Sequence, residues 1–264
     1  MDMDFRDRKI FDALARKFLR EKAGTAGEWM IRLGRHFLGC PYAAGTLEKE
    51  AAEALVVNLR QFDCLTFVEN ITALSLLFLS GDVSFERYRE TLATIRYRQG
   101  RLDGYASRLH YFSDWLFDNE RKGIVKNISR MPGGRPLSKK IRYMTQHPDQ
   151  YPALKDPGVY RQVRVIEKRI QRRLCYYIPK ALLKRTEARI TDGDLVAVTT
   201  RTEGLDVTHV GVAVHEGQEV HFLHASSIAG KVIISPETLG RYLAGSRDRS
   251  GIIIARMVEA ATPD

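Results

Sequence analysis

Cys64 is the residue on which a chemical argument can start. It lies in Gln61-Phe62-Asp63-Cys64-Leu65-Thr66-Phe67-Val68-Glu69-Asn70, at the opening of an apolar run that continues to Leu79. Asp63 is a favourable N-cap, which makes Cys64 the first helical residue. Unpaired backbone N–H groups and the positive end of the helix dipole then surround its sulfur. Such a setting lowers a thiol pKa and favours the nucleophilic thiolate. The helix behind it is apolar on most faces, as a buried helix is. The competing reading is a small buried hydrophobe, the commonest fate of a free cysteine. This stretch alone leaves the two readings level.

A cysteine nucleophile needs a base, and the base needs a third group to orient it. The chain has seven histidines. Two of them lie in β-branched runs: His209 in Thr208-His209-Val210-Gly211-Val212-Ala213-Val214, and His224 in Val220-His221-Phe222-Leu223-His224-Ala225-Ser226. A two-residue turn at Glu216-Gly217 makes 209 and 224 direct cross-strand partners on one face, within hydrogen-bonding reach. A one-residue shift there is expected to put them on opposite faces. His215 and His221, nearer the turn, read as surface residues. A lone strand histidine has no task as a rule; a capped cysteine followed by two paired histidines favours one.

The elements that must position these groups fall in two halves. Helices are expected at 5–22, at 28–37 and from Cys64 to Leu79. Ser84 caps another running through Ile95, and one begins near Trp115. An extended segment (53–59) leads into Cys64. Residues 119–159 carry most of the prolines and read as long loops with short helices, a length that in a compact domain is functional or disordered. Residues 160–174 form a helix with Val163, Ile166, Ile170 and Leu174 on one face and a basic, solvated face opposite. From 194 onward, short runs at 194–200, 207–215, 219–225, 231–235 and 251–258 alternate with turn residues, an antiparallel sheet signature. Helices first and strands last favour α+β.

Composition sets bounds. The 264 residues are 44% hydrophobic and 28% charged, ordinary for a globular chain that buries its own core. Cys40, Cys64 and Cys175 are widely spaced, with no zinc-ligand pattern, so neither a metal site nor a disulfide framework is expected. The net charge of +10 suits an anionic partner, yet no nucleic-acid motif accompanies it, and no nucleic-acid partner is expected. No apolar run reaches the roughly 18 residues a membrane span needs. The start, Met1-Asp2-Met3-Asp4-Phe5, does not resemble a signal peptide. A cytoplasmic protein, or a periplasmic or exported one whose leader is gone, fits equally.

Phe62-Asp63-Cys64, His209-Val210-Gly211-Val212 and His224-Ala225-Ser226 resemble, in order, the three catalytic segments of the NlpC/P60 papain-like cysteine peptidases of bacterial cell walls. Gly45-Thr46-Leu47-Glu48, Asp63–Glu69, Ile95-Arg96-Tyr97-Arg98, Arg108-Leu109-His110-Tyr111, Tyr177-Ile178-Pro179-Lys180 and Gly204–Gly211 narrow this to the DUF1460 family, which is similar to N-acetylmuramoyl-L-alanine amidases. The resemblance implies a papain-like α+β fold in a single domain over 1–264, with residues 82–190 as a mainly helical and loop insert. It implies Cys64 as nucleophile, His209 as base and His224 as the group orienting it. Tyr42, in Gly39-Cys40-Pro41-Tyr42, falls at the oxyanion position, although the gap from Tyr42 to Cys64 is longer than is usual. The substrate implied is a peptidoglycan fragment, a muropeptide, with no cofactor and no metal.

Stem-peptide carboxylates make Arg96 and Arg108 candidate binders through bidentate contacts, with internal salt bridges an equal alternative. His110 is a candidate for the sugar pocket; Trp115 fits the core better. Three rival functions stand beside the amidase: D-glutamyl–diamino acid endopeptidase, thiol acyltransferase, and a non-catalytic module binding anionic polymer.

Overall fold

Capping side chains set the helix starts in the N-terminal half. After α1 (Asp2–Phe18), Thr25 and Glu28 form a capping box on α2 (Ala26–His36), and Asp63 and Thr66 form one on α3 (Cys64–Ser80). Ser84 caps α4 (Phe85–Arg96). Each such cap contributes about 1 kcal/mol. The computed structural model describes residues 2–21, 24–48 and 52–259. Met1 and the side chains of the acidic opening, Asp2 to Asp4, lie outside the described residues.

Helix α3 is buried along most of its length, as its apolar sequence requires. The polar residues it takes inside are paired. Asn70 donates to the Thr66 carbonyl at 2.6 Å and accepts from the Tyr88 hydroxyl, and Glu69 meets Arg96. The helix ends at Gly81, whose φ of 74° supplies the left-handed C-terminal turn.

Helix α5 (Phe112–Arg121) is followed by two short strands, β1 (Val125–Asn127) and β2 (Arg135–Pro136). Then come α6 (Tyr143–Gln146), α7 (Pro157–Gln171), β3 (Tyr176–Pro179) and α8 (Leu183–Thr186). The last third holds β4 (Leu195–Thr200), β5 (Val207–Glu216), β6 (Glu219–Ser226), β7 (Lys231–Thr238), α9 (Leu239–Ala244) and β8 (Arg249–Met257). The eight strands form one sheet in the order β2-β3-β8-β4-β5-β6-β7, with β1 also on β8, and every pairing is antiparallel. The fold is α+β.

The strands expected from 194 onward are present. Strands β1 to β3, which fall where loops and connections were expected, add to them. They are two to four residues long, and pairing with β8 or with one another, not alternation, makes them strands. In the predicted helix at 160–174, Val163 and Ile170 are buried as expected. Leu174, however, lies beyond the end of α7 and is 60% exposed.

The sheet is covered on both faces. Leu195, Ala197, Val212, Val214, Leu223 and Ile253 join the core made by α1 to α5. Val196, Val198, Ala213, Phe222, Ile252 and Ile254 join a second core with Leu183, Leu239 and Leu243. A third cluster, including Tyr105, Tyr111, Met144, Val163 and Ile170, lies within 105–170.

Candidate functional site

Asp63 Oδ1 accepts from the Thr66 amide at 2.8 Å, and the Asp63 amide donates back to Thr66 Oγ1 at 3.0 Å. This fixes Cys64 as the first residue of α3. The sulfur lies toward β5, where the Val210 backbone N–H, one residue beyond His209, favours the thiolate. Further backbone N–H groups at the start of α3, including that of Leu65, also favour the thiolate. They do not prevail. Burial first, and the Asp63 carboxylate second, push the Cys64 thiol up to about 12. The expected lowering of its pKa by the helix start is thus outweighed, because the same cap that places the cysteine sets a negative charge beside it.

His209 Nε2 and His224 Nδ1 are 2.6 Å apart, with the rings perpendicular at 4.7 Å between centroids. The register differs from the one anticipated. Val212 pairs with Leu223 and Glu216 with Glu219, so the turn residues are Gly217-Gln218, not Glu216-Gly217. The expectation that a one-residue shift of the turn puts the two histidines on opposite faces is wrong, because moving a two-residue turn by one position moves the pairing by two. That preserves the side-chain face. The histidines therefore meet as diagonal neighbours, within reach across a ladder. The β4–β5 ladder also slips next to His209: Val198 pairs with His209 but Thr199 with Val207, leaving Thr208 bulged. A bulge of this kind re-aims the adjacent side chain.

Both imidazoles are held neutral. Burial, then the Arg249 charge, lowers His209 to about 4. Burial, then His209 and Arg249, lowers His224 to about 3. His224 is buried and its Nε2 has no hydrogen-bond partner among the described residues. A high thiol and low imidazoles describe a neutral pair at rest, not a preformed thiolate–imidazolium.

Tyr42 arrives beside the cysteine despite the long gap in sequence. It bridges Phe62 in parallel, with Phe62 N–H donating to the Pro41 carbonyl at 3.0 Å and Ala43 N–H to the Phe62 carbonyl at 2.9 Å. Its phenol is raised by burial, then by the charges of Cys64 and Asp63. Two further residues at the site escape the sequence reading. The Tyr242 ring, on α9, lies 5.6 Å from His224 and 6.3 Å from His209, and Arg249 sits on it at 3.9 Å. Neither lies in a motif; α9 folding back over β6 brings in Tyr242, and Arg249 reaches its ring from the start of β8.

Arg108 and His110 line an open cleft of about 690 Å³ with Asp63, Leu65, Glu69 and Glu48. Arg108 is 5% exposed, contacts Glu48 and lies 3.4 Å from Glu53. His110 Nε2–H donates to the Tyr105 carbonyl at 2.9 Å, and burial lowers the imidazole to about 3. Arg96 is different. It is 1% exposed, its Nε donates to Glu69 at 2.7 Å and its Nη1 to the Val56 carbonyl at 2.6 Å. Its charge belongs to an internal ion pair, so the substrate-binding role expected for Arg96 does not fit its position. Trp115 is fully buried in the helical core. His215 and His221 are half-buried, on Asp192 and the Ser235 carbonyl. Among the described residues no group of three His, Cys, Asp or Glu side chains could hold a metal ion, and no helix is long and apolar enough to cross a membrane.

Residues 32–252 match the model of the AmiA-like family, described as N-acetylmuramoyl-L-alanine amidase-like. No curated protein matches. Among solved structures, an N-acetylmuramoyl-L-alanine amidase from Bacteroides uniformis is 36% identical with a TM-score of 0.84, covering 89% of this chain and 100% of that one. A Bacteroides fragilis protein named as a candidate xylanase is 38% identical with a TM-score of 0.80, covering 86% and 100%. A Legionella pneumophila protein of the DUF1460 family shares the fold at 22% identity and a TM-score of 0.69, covering 97% and 94%. With most of its length matched by the family model and by relatives more than one-third identical, the chain belongs to the AmiA-like (DUF1460) family of N-acetylmuramoyl-L-alanine amidase-like proteins.

Proposed function

We propose that this protein is a cysteine-dependent amidase that cleaves the bond between N-acetylmuramic acid and L-alanine in peptidoglycan fragments. The observation that carries the reading is a β5–β6 histidine pair 2.6 Å apart, with the capped start of α3 that carries Cys64 packed against the same strand β5. On this reading the fold is of the papain-like NlpC/P60 kind, built as one catalytic domain with residues 82–190 as its insert.

The chemistry follows from the neutral pair. His209 takes the Cys64 proton as the sulfur attacks the lactyl carbonyl, so the thiolate exists only as the C–S bond forms. His224 holds the His209 ring and bears on the imidazolium. Backbone N–H groups at the start of α3, with the Tyr42 phenol, face the oxyanion. The C–N bond then breaks, His209 gives its proton to the leaving L-alanine amine, and a thioester remains. Water, deprotonated by His209, hydrolyses the thioester and restores the thiol. The cleft with Arg108 and His110 holds the remainder of the substrate.

A glycosidase reading, prompted by the Bacteroides fragilis relative's name, needs two free carboxylates across one cleft. The carboxylates lining the cleft are engaged: Asp63 caps α3, Glu69 holds Arg96 and Glu48 contacts Arg108. Incubation with purified muropeptides, with Cys64→Ala as control and products read by mass spectrometry, tests the proposal. Stem peptide beginning at L-alanine is the expected product. Cuts after D-glutamate would move the specificity to the endopeptidase; no product from any muropeptide would overturn the amidase.

A further inference from the structure

Arg249 opens β8, and its guanidinium lies 3.9 Å above the centroid of the Tyr242 ring. Its Nη1 also donates to the Tyr242 carbonyl. Arg96, Arg98, Arg108, Arg173 and Arg256 each meet a carboxylate. Arg249 has no carboxylate partner among the described residues. A half-buried guanidinium without a counter-charge projects its field onto whatever lies near it, and through apolar surroundings that field is poorly screened.

What lies near it is the histidine pair. The Tyr242 ring is 5.6 Å from His224, 6.3 Å from His209 and 5.2 Å from Phe222, whose ring stacks on His224 at 4.6 Å. The charged and titratable groups around the pair are few. Helix α3 brings Cys64 and Asp63, the segment before it Tyr42, α9 Tyr242 and β8 Arg249; Glu237 of β7 reaches Tyr242. Of these, the fixed positive charge is that of Arg249, which sits on the Tyr242 ring that packs beside both imidazoles.

We propose that Arg249, seated on Tyr242, is an electrostatic positioning residue whose fixed charge adds to burial in opposing a proton on the His209–His224 pair. The proton His209 carries during reaction is then the one from Cys64, and the imidazolium formed beside a fixed positive charge is a stronger acid toward the leaving amine. This rests on the amidase reading for its role in catalysis, though not for its effect on the histidines.

Burial acts on the imidazoles in the same direction, so the test must separate charge from packing. Imidazole nitrogen NMR across pH, in a Cys64→Ala background, reads the two histidines without substrate. Arg249→Gln is expected to raise their titration by roughly one pH unit, and Arg249→Lys to leave it near the starting value. Should Arg249→Gln fail to fold, Arg249→Met removes the charge while keeping an apolar stem over the Tyr242 ring, and is expected to move the titration the same way. Unchanged titration in both variants, with only a lower Tm, would make the contact structural and overturn the proposal. In parallel, the acid limb of kcat/KM on muropeptides is expected to rise with the NMR value in Arg249→Gln. Shifted imidazoles in a protein that cleaves no muropeptide would reject the amidase reading and leave the electrostatic role standing.

Discussion

Gly211 lies one step beyond the Val212–Leu223 pair in the β5–β6 ladder, directly against His224. A Cβ on Gly211 would stand 2.7 Å from the His224 Cβ, 2.6 Å from the Leu223 carbonyl oxygen and 2.7 Å from the Phe222 ring. The room for the second histidine is therefore made by the absence of a side chain two residues after the first. Gly211→Ala is expected to displace the His224 ring while the sheet persists. We expect a loss on the order of 100-fold in kcat/KM, the scale of a misplacement of about 1 Å, with a cost of about 1–3 kcal/mol in denaturant unfolding. Activity at the wild-type level in a folded Gly211→Ala protein would contradict the role given to His224.

The proposed nucleophile, Cys64, admits a direct test. Cys64→Ala and Cys64→Ser are expected to abolish muropeptide cleavage while leaving circular dichroism unchanged, because the Asp63–Thr66 capping box that starts α3 is retained. Iodoacetamide is expected to inactivate the wild type, slowly near neutrality because the thiol is held high. EDTA is expected to have no effect. Loss of activity on chelation would require a metal that this mechanism does not use.

Much of this arrangement is legible in sequence, and the reason differs from element to element. Asp63 and Ser84 mark their helices because an N-cap is a local interaction within four residues. The juxtaposition of His209 with His224 survives an error in the turn position because parity along a strand is unchanged by a shift of two. Strands β1 to β3 are not legible: they are too short to alternate, and their partners lie far away in the chain. Tyr242 and Arg249 are hidden for the same reason, since ring packing depends on where α9 settles. The thiol is misjudged by local reasoning because the dipole is visible in sequence whereas the depth of burial is not.

The buried histidines make stability depend on pH. His110, His209 and His224 have folded pKa values of about 3, 4 and 3, below the unfolded value of 6.5. Between those limits the unfolded chain binds protons that the folded protein refuses. Stability is therefore complete above about pH 6.5 and is lost as pH falls toward 4 and below. At pH 5 the loss is at most about 2 kcal/mol for each histidine. Tm measured from pH 7.5 to 5 is expected to fall, and to fall less in His110→Asn. Identical slopes in the two proteins would show that His110 is not held neutral by burial.

The two arginines of the cleft region should separate by experiment, because one is structural and the other lines the cleft. Removing Arg96 leaves Glu69 buried without its partner at 2.7 Å. Breaking such a pair costs about 3–5 kcal/mol, so Arg96→Ala is expected to unfold at much lower denaturant. Arg96→Ala with Glu69→Gln should recover part of the loss, since no charge then remains unpaired. Arg108 borders the open cleft and shares its charge with Glu48 and Glu53. Burial raises the Glu53 carboxyl and Arg108 opposes that rise, so Arg108→Ala also lets Glu53 take a proton more readily. Its principal expected effect is weaker substrate binding, with KM raised by about 10-fold or more, the scale of one charge-assisted hydrogen bond, and kcat little changed. Equal losses of stability from Arg96→Ala and Arg108→Ala, with KM untouched in the latter, would assign both to the scaffold and leave the cleft without its cation.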